Sequence, residues 1–212
     1  MQKDIVEALE WRYAVGQFDQ SKKISDDQMD SLLEAVLLTP SSFGLQPWKF
    51  IVVSNEELKQ QMRQAGFDQA GFTEASHIVV LAVNNKVDAE YIDHYVAAVS
   101  ETRNIAKENL GGFSDMMNGA VAMRTPEQVV EWSSRQVYIA LGVLIAAASV
   151  MAIDSHPMEG FDKDQFDAIL GLKETTFRSL VVVALGFRSL EDKSAQHAKV
   201  RFSKEELIIE KK

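Results

Sequence analysis

The run Ser179-Leu180-Val181-Val182-Val183-Ala184-Leu185 and its counterpart Ile78-Val79-Val80-Leu81-Ala82-Val83-Asn84 decide how this chain folds. Each is short, rich in β-branched residues and almost continuously apolar. A strand with one wet face alternates apolar and polar residues, so runs without alternation belong to a sheet covered on both faces. A third strand is read at Lys49–Val53. The helices around these strands are marked by their ends. Ser25-Asp26-Asp27-Gln28 is a capping box opening a helix to about Leu38, and Ser54-Asn55-Glu56-Glu57 reads as a second. Thr125-Pro126-Glu127-Gln128 combines an N-cap, a proline at the first helical position and a glutamine two residues later, opening a long helix to about Ala152. Asp162 and Ser203 read as N-caps of shorter helices. Residues 2–11 read as a helix, residues 13–24 as an irregular stretch, and residues 87–122 as a helical insert broken at Gly111-Gly112. Few strands among many helices give an α+β fold, a small sheet sandwiched by helices.

Composition narrows the function. The 212 residues suffice for one large domain with a substantial core, and no repeat or linker divides 1–212. A formal net charge of −9 argues against a nucleic-acid partner, which demands a basic face. The absence of cysteine excludes disulfides, thiolate metal sites, iron–sulfur clusters and a cysteine nucleophile. Met1–Ile5 carries no apolar signal region, so the expected location is cytoplasmic. Val137–Ile153 is uncharged and largely apolar; such a helix either spans a membrane or is buried in protein. A single run with amphipathic sequence on both sides favours burial, with Ala, Gly142 and Ser149 allowing close approach of other helices or of a second subunit.

Familiar catalytic signatures are missing. The chain has no G-x-G-x-x-G after a strand, no G-x-x-x-x-G-K-[ST] and no G-x-S-x-G. His77, His94, His156 and His197 are dispersed and form no H-E-x-x-H pair, so no metal is expected. Three features remain. Pro40 and Pro47 bracket Ser41-Ser42-Phe43-Gly44-Leu45-Gln46, which is either a plain connector with Trp48 plugging the core or a rigid ligand-facing loop. Lys199 and Arg201 point to one face of an extended chain, as a phosphate clamp or as two solvated charges. Ile153–Asp162 reads as a second loop, where Pro157 and Gly160 bracket a turn that aims backbone N–H groups at a ligand.

Taken together these segments resemble the FMN-dependent nitroreductase family from near Arg12 to Arg201. The motifs are Arg12-Tyr13-Ala14 with Phe18-Asp19; Pro40-Ser41-Ser42 with Gln46-Pro47-Trp48; Glu74-Ala75-Ser76-His77; Pro157-Met158-Glu159-Gly160-Phe161-Asp162; Gly171-Leu172-Lys173; and Lys199-Val200-Arg201. The resemblance implies a three-layer arrangement with a mostly antiparallel sheet, in an intertwined homodimer binding FMN in clefts at the subunit interface. It implies a cofactor site of Arg12, Tyr13, Ala14, Gly16, Ser41, Ser42, Asp68, Pro157, Met158, Glu159, Gly160, Lys199 and Arg201. In it Arg12, Lys199 and Arg201 take the phosphate, Ser41 and Ser42 reach the neighbouring subunit's flavin, and the backbone N–H groups of Glu159 and Gly160 face N5 and O4. The long helix becomes the central dimer helix, and the segment after Arg201 embraces the partner. NADH or NADPH donates electrons in a ping-pong exchange, and the acceptor is a nitroaromatic, a quinone or a similar electron-poor small molecule. Alternatives on the same fold are a specialised enzyme for pteridines, enones or halogenated aromatics, and a flavin binder without efficient turnover.

The chain departs from the family at telling places. Relatives often carry lysine where Gly16 and Gly71 stand, serine at Ala14 and asparagine at Asp68. A missing cation near the flavin N1–O2 edge should weaken the reduced state, and an ionised Asp68 accepts from N3–H but does not donate to O2. The expectation is a lower flavin potential and a narrower acceptor range. In the family the insert lines the entrance to the flavin face, so Arg103 and Phe113 are the candidate substrate residues: Arg103 either steers a dinucleotide phosphate or is a plain surface arginine, and Phe113 either stands over the flavin or belongs to the core.

Overall fold

The computed structural model of the chain describes residues 4–211, so the part of the expected first helix on residues 2 and 3 lies outside the described residues. The elements run α1 Ile5–Trp11, α2 Asp26–Leu37, β1 Trp48–Val53, α3 Glu56–Ala65, α4 Gly71–Glu74 and β2 His77–Asn84. They continue with α5 Ala89–Arg103, α6 Gly111–Ala122, α7 Pro126–Val150, β3 Asp154–Met158, α8 Lys163–Ile169, β4 Phe177–Gly186 and α9 Lys204–Leu207. The sheet is antiparallel throughout, in the order β1-β2-β4-β3, with a bulge between Leu81 and Ala82.

Strand periodicity builds the three layers. Val79, Leu81, Val83, Val181, Val183 and Leu185 face one way, against α2 and α7. Their neighbours Ile78, Val80, Val182 and Ala184 face the other way, against Met62, Phe72 and Phe166 of α3, α4 and α8. Both faces of β2 and β4 are therefore covered, which is why these runs do not alternate.

The capping boxes at Ser25 and Thr125 form as read, each hydroxyl accepting from the glutamine N–H three residues on. Asp162 and Ser203 cap α8 and α9. Three expectations are corrected. The cap of α3 is Asn55 rather than Ser54, because the Asn55 side chain accepts from Leu58 N–H and leaves Ser54 to end the strand connection. Gly111-Gly112 opens α6 instead of breaking a helix; the break falls at left-handed Asn104 and a short 3-10 turn at Lys107–Leu110. Ile153–Asp162 is not all loop: residues 154–158 form β3, an edge strand on β4, where Pro157 is tolerated because an edge leaves one row of backbone groups unpaired.

The insert carries a small core of its own, with Ile92, Val96, Val99 and Met117 packed against Leu45 and Val129 of the main body. The helix α7 is 25 residues long and by length and composition alone is apolar enough to cross a membrane. Val137, Ala140, Leu141, Leu144 and Ala148 bury one stripe of it on the sheet. Ile139, 44% exposed, and Gly142 lie on the uncovered side, so one chain buries only part of this helix.

Candidate functional site

The end of α1 and the start of the C-terminal segment meet in a cleft of about 460 Å³. Arg12, Tyr13, Ala14, Lys199 and Arg201 all line it, so the structure gathers five of the expected residues at one place. Arg12 follows the last turn of α1, its backbone N–H still bonded to Ala8 O at 3.1 Å. Lys199 Nζ donates to the carbonyls of Leu9, at 2.7 Å, and Arg12, tying the two chain segments together. Burial and the nearby charge of Arg201 hold the Arg12 guanidinium below its usual pKa. Desolvation, then Arg12 and Arg201, lower that of Lys199, with Glu10 opposing. Arg12 Nε is buried and has no hydrogen-bond partner among the described residues. Cations crowded against their mutual repulsion, with a buried donor left over, are the chemistry that suits a compact anion.

Sequence reasoning missed the groups that shape this cleft. Arg188 stacks on the rings of Trp11, at 4.1 Å, and Tyr13, at 4.4 Å. Its Nε and Nη2 both donate to Asp154 Oδ1, at 2.8 and 2.5 Å, while its backbone N–H donates to Oδ2. Asp192 accepts from the Tyr13 hydroxyl at 3.1 Å, Gly16 N–H at 3.0 Å and Ser194 N–H at 3.0 Å. Burial pushes the Asp192 carboxyl up, and these donors more than offset it, leaving the group below its ordinary value. Burial drives the Tyr13 phenol to about 12, with Arg188 opposing and Asp192 adding. The Ser194 contact of Asp192 is local, but Tyr13, Gly16 and, for Arg188, Asp154 lie more than thirty residues away, so no local pattern marks these two as parts of the cleft.

A second group of expected residues gathers after β3. Pro157 and Met158 close the strand, Met158 buried in the core. Glu159 and Gly160 follow on the surface, and among the described residues their backbone N–H groups have no hydrogen-bond partner. Tyr138 on α7 donates to Glu159 Oε1 at 2.7 Å, and burial followed by Glu159 raises that phenol to about 12. Gln69 Nε2 donates to Gly160 O at 2.7 Å, so the turn holding Asp68 is fastened to this loop. Asp68 itself is left-handed, exposed, and paired with Arg63 Nε at 2.6 Å. Gly16 is exposed, whereas Gly71 is buried with Phe18 3.8 Å from where a Cβ would stand.

The remaining residues lie elsewhere. Ser41 and Ser42 line no part of the cationic cleft; Ser42 N–H donates to Gln136 Oε1 of α7 at 2.8 Å. Trp48, after this loop, is buried in the core as the connector reading required. Phe113 is half-buried in the insert core, its ring 6.4 Å from that of Tyr95. Arg103 is exposed in the last turn of α5.

Comparison with known proteins gives these features a family. The profile of the Nitroreductase family matches residues 9–187, and the chain belongs to that family. A Staphylococcus epidermidis protein named as a candidate NAD(P)H nitroreductase is 35% identical over 218 residues, covering 98% of this chain and 97% of its own. The oxygen-insensitive NAD(P)H nitroreductase of Salmonella typhimurium is 32% identical over 220 residues, covering 98% and 99%. A solved structure from Exiguobacterium sibiricum, titled as a candidate nitroreductase in complex with FMN, superposes with a TM-score of 0.82 at 21% identity, covering 99% of this chain and 98% of its own. That likeness shows the fold.

Proposed function

We propose that this chain takes electrons from NADH or NADPH and delivers them, in ping-pong order, to nitroaromatics, quinones or similar electron-poor small molecules. As a member of the Nitroreductase family it is an NAD(P)H-dependent oxidoreductase, and FMN is its cofactor. The observation that carries the reading is the cationic cleft, where Arg12, Lys199 and Arg201 converge and Arg12 Nε stays buried without a partner among the described residues. This donor set fits the phosphate of FMN, a compact dianion that rewards fixed guanidinium and ammonium donors.

Bound FMN supplies the hydride and electron chemistry; the protein supplies position, electrostatics and an open face. Arg12, Lys199 and Arg201 bind the phosphate, while Tyr13 and Ala14 line the way to it. Asp192 ties Gly16 and Tyr13 to the C-terminal side of the cleft. The free N–H groups of Glu159 and Gly160 donate to the ring edge, with Glu159 steadied by Tyr138, and Pro157 and Met158 fix where the loop leaves the sheet. Asp68 accepts from the ring edge. Ser41 and Ser42, which do not line this chain's own cleft, would contact the cofactor of a second copy. Arg103 and Phe113 of the 87–122 insert face incoming dinucleotide or acceptor within the single domain 1–212. One open face serves both partners in turn, so the dinucleotide leaves before the acceptor enters. The enzyme works as a cytoplasmic homodimer.

The test is direct. Purified protein should take up FMN and turn yellow, and NADH or NADPH should bleach it in stopped flow before any acceptor is added. Double-reciprocal plots against a quinone should be parallel; intersecting lines would exclude the ping-pong order. Arg12→Ala should weaken FMN binding by roughly tenfold to a hundredfold, the worth of a charge-assisted bond to a buried site. Unchanged affinity would remove the phosphate assignment.

A further inference from the structure

The loop before β1 is held in a backbone its residues do not favour. Phe43, Gly44 and Gln46 have φ of 57°, 79° and 50°. Left-handed backbone is unfavourable wherever a Cβ is present, and runs of it persist only where the surroundings impose them. Here they do so from two sides. On one side Gln136 of α7 accepts the Ser42 N–H at 2.8 Å, and is itself fixed by donating to Trp132 O at 3.1 Å. On the other side the insert supplies Tyr91, whose hydroxyl lies 3.1 Å from Leu45 O and 2.8 Å from Gln46 O. The next turn of α5 brings Tyr95 under Gly44, so close that a Cβ there would stand 2.2 Å from its hydroxyl oxygen. Inside the loop Ser41 Oγ accepts from Gln46 N–H at 2.9 Å, so the carbonyl that Tyr91 holds and the hydroxyl of Ser41 belong to one residue pair.

We propose that Tyr91 is a positioning residue for the serine loop: the insert, through this phenol, presents Ser41 and Ser42 and so sets how tightly FMN binds. The inference rests on the reading that these serines contact the cofactor. It gives the insert a second role, because an element facing the acceptor also governs affinity for the cofactor. Burial raises the Tyr91 phenol, which keeps it a donor at any physiological pH.

A tyrosine that only packs and a tyrosine that positions are separated by Tyr91→Phe, which keeps the ring and removes both loop contacts together with the hydroxyl's bond to Asn84. Three quantities are measured: FMN dissociation by flavin fluorescence, thermal midpoint of the flavin-free chain, and amide exchange at Gly44, Leu45 and Gln46. The expected result is roughly fivefold to tenfold weaker FMN, the loss of about one hydrogen bond that holds the loop. Exchange at the loop should quicken, and the midpoint of the flavin-free chain should change little. Gly44→Ala should weaken FMN likewise, and adding Tyr95→Phe, which removes the nearest atom, should recover part of the loss. Unaltered FMN affinity in Tyr91→Phe, or a fall in stability without a fall in affinity, overturns the inference. If the unsubstituted protein takes up no FMN, the functional reading itself falls and this one with it.

Discussion

Gly16 shows how much a single missing side chain means here. Its N–H is held by Asp192 at 3.0 Å, and a Cβ on it would meet Asp192 Oδ1 and Ser194 Oγ at 3.3 Å. That is tight enough to require a few tenths of an ångström from neighbours, one of them a carboxylate that would welcome a cation. Gly71 offers no such opening, being buried beside Phe18. Gly16→Lys should therefore fold, and should raise the two-electron midpoint of bound FMN by about 30 mV if the added charge favours the reduced state by ~1.4 kcal/mol. A redox titration giving equal midpoints for the two proteins would show that Gly16 does not set the potential. At this scale the sequence discloses charges better than their anchors. Arg12, Lys199 and Arg201 are visible from their spacing and motif, and the cleft holds all three. Asp192 is one acid in a polar stretch, and its partners Tyr13 and Gly16 lie at the other end of the chain.

Among the elements, β2 and β3 flank the central β4 and each brings a histidine into partly buried surroundings. Burial lowers the pKa of His77, reinforced by the charges of Lys59 and Lys23, and burial lowers that of His156. In the unfolded chain both titrate near 6.5. A base depressed in the folded state is neutral there while the unfolded state takes up protons, so stability rises with pH across that interval. The stabilisation is complete above the unfolded value and is lost as pH falls through the folded ones. Denaturant midpoints measured from about pH 5 to about pH 8 should climb and then level. His77→Gln and His156→Gln together should flatten that slope; an undiminished slope would place the acid sensitivity elsewhere. The elements were legible wherever their ends carry their own signal, as with the Ser25, Thr125, Asp162 and Ser203 caps. β3 was not, because His156 and Pro157 lack strand character and only distant pairing, with β4 and through a bridge at Ala14, makes the segment a strand. The cap of α3 slipped by one residue because Ser54 and Asn55 are equally good acceptors locally, and only the direction of the chain leaving β1 chooses Asn55.

The whole molecule leaves apolar surface that one copy does not cover. Beyond the open side of α7, the C-terminal segment exposes Phe202 at 73% and Ile209 at 80%. Leu33, Leu37, Trp48, Phe50 and Val52 form a groove of about 370 Å³ along β1, which is an edge of the sheet. An edge strand with apolar side chains beside it is a natural place for another chain. The homodimer proposed above would be built on α7, covering the open side of that helix and bringing Ser41 and Ser42 to the partner's cleft. Gly142 is the point at which to test it, since nothing lies within 4 Å of a Cβ there and a substitution costs the single chain little packing. Gly142→Glu places a charge on that open side, where burying it unpaired against a second copy is expensive. Sedimentation should show the variant as a folded monomer, with far-ultraviolet dichroism unchanged. Bound FMN should be lost in the same protein, because Ser41 and Ser42 of the second copy are no longer present. A folded monomer that keeps FMN as tightly as the dimer would mean that each cofactor is held by one chain, and the serine loop would return to being a connector for Trp48.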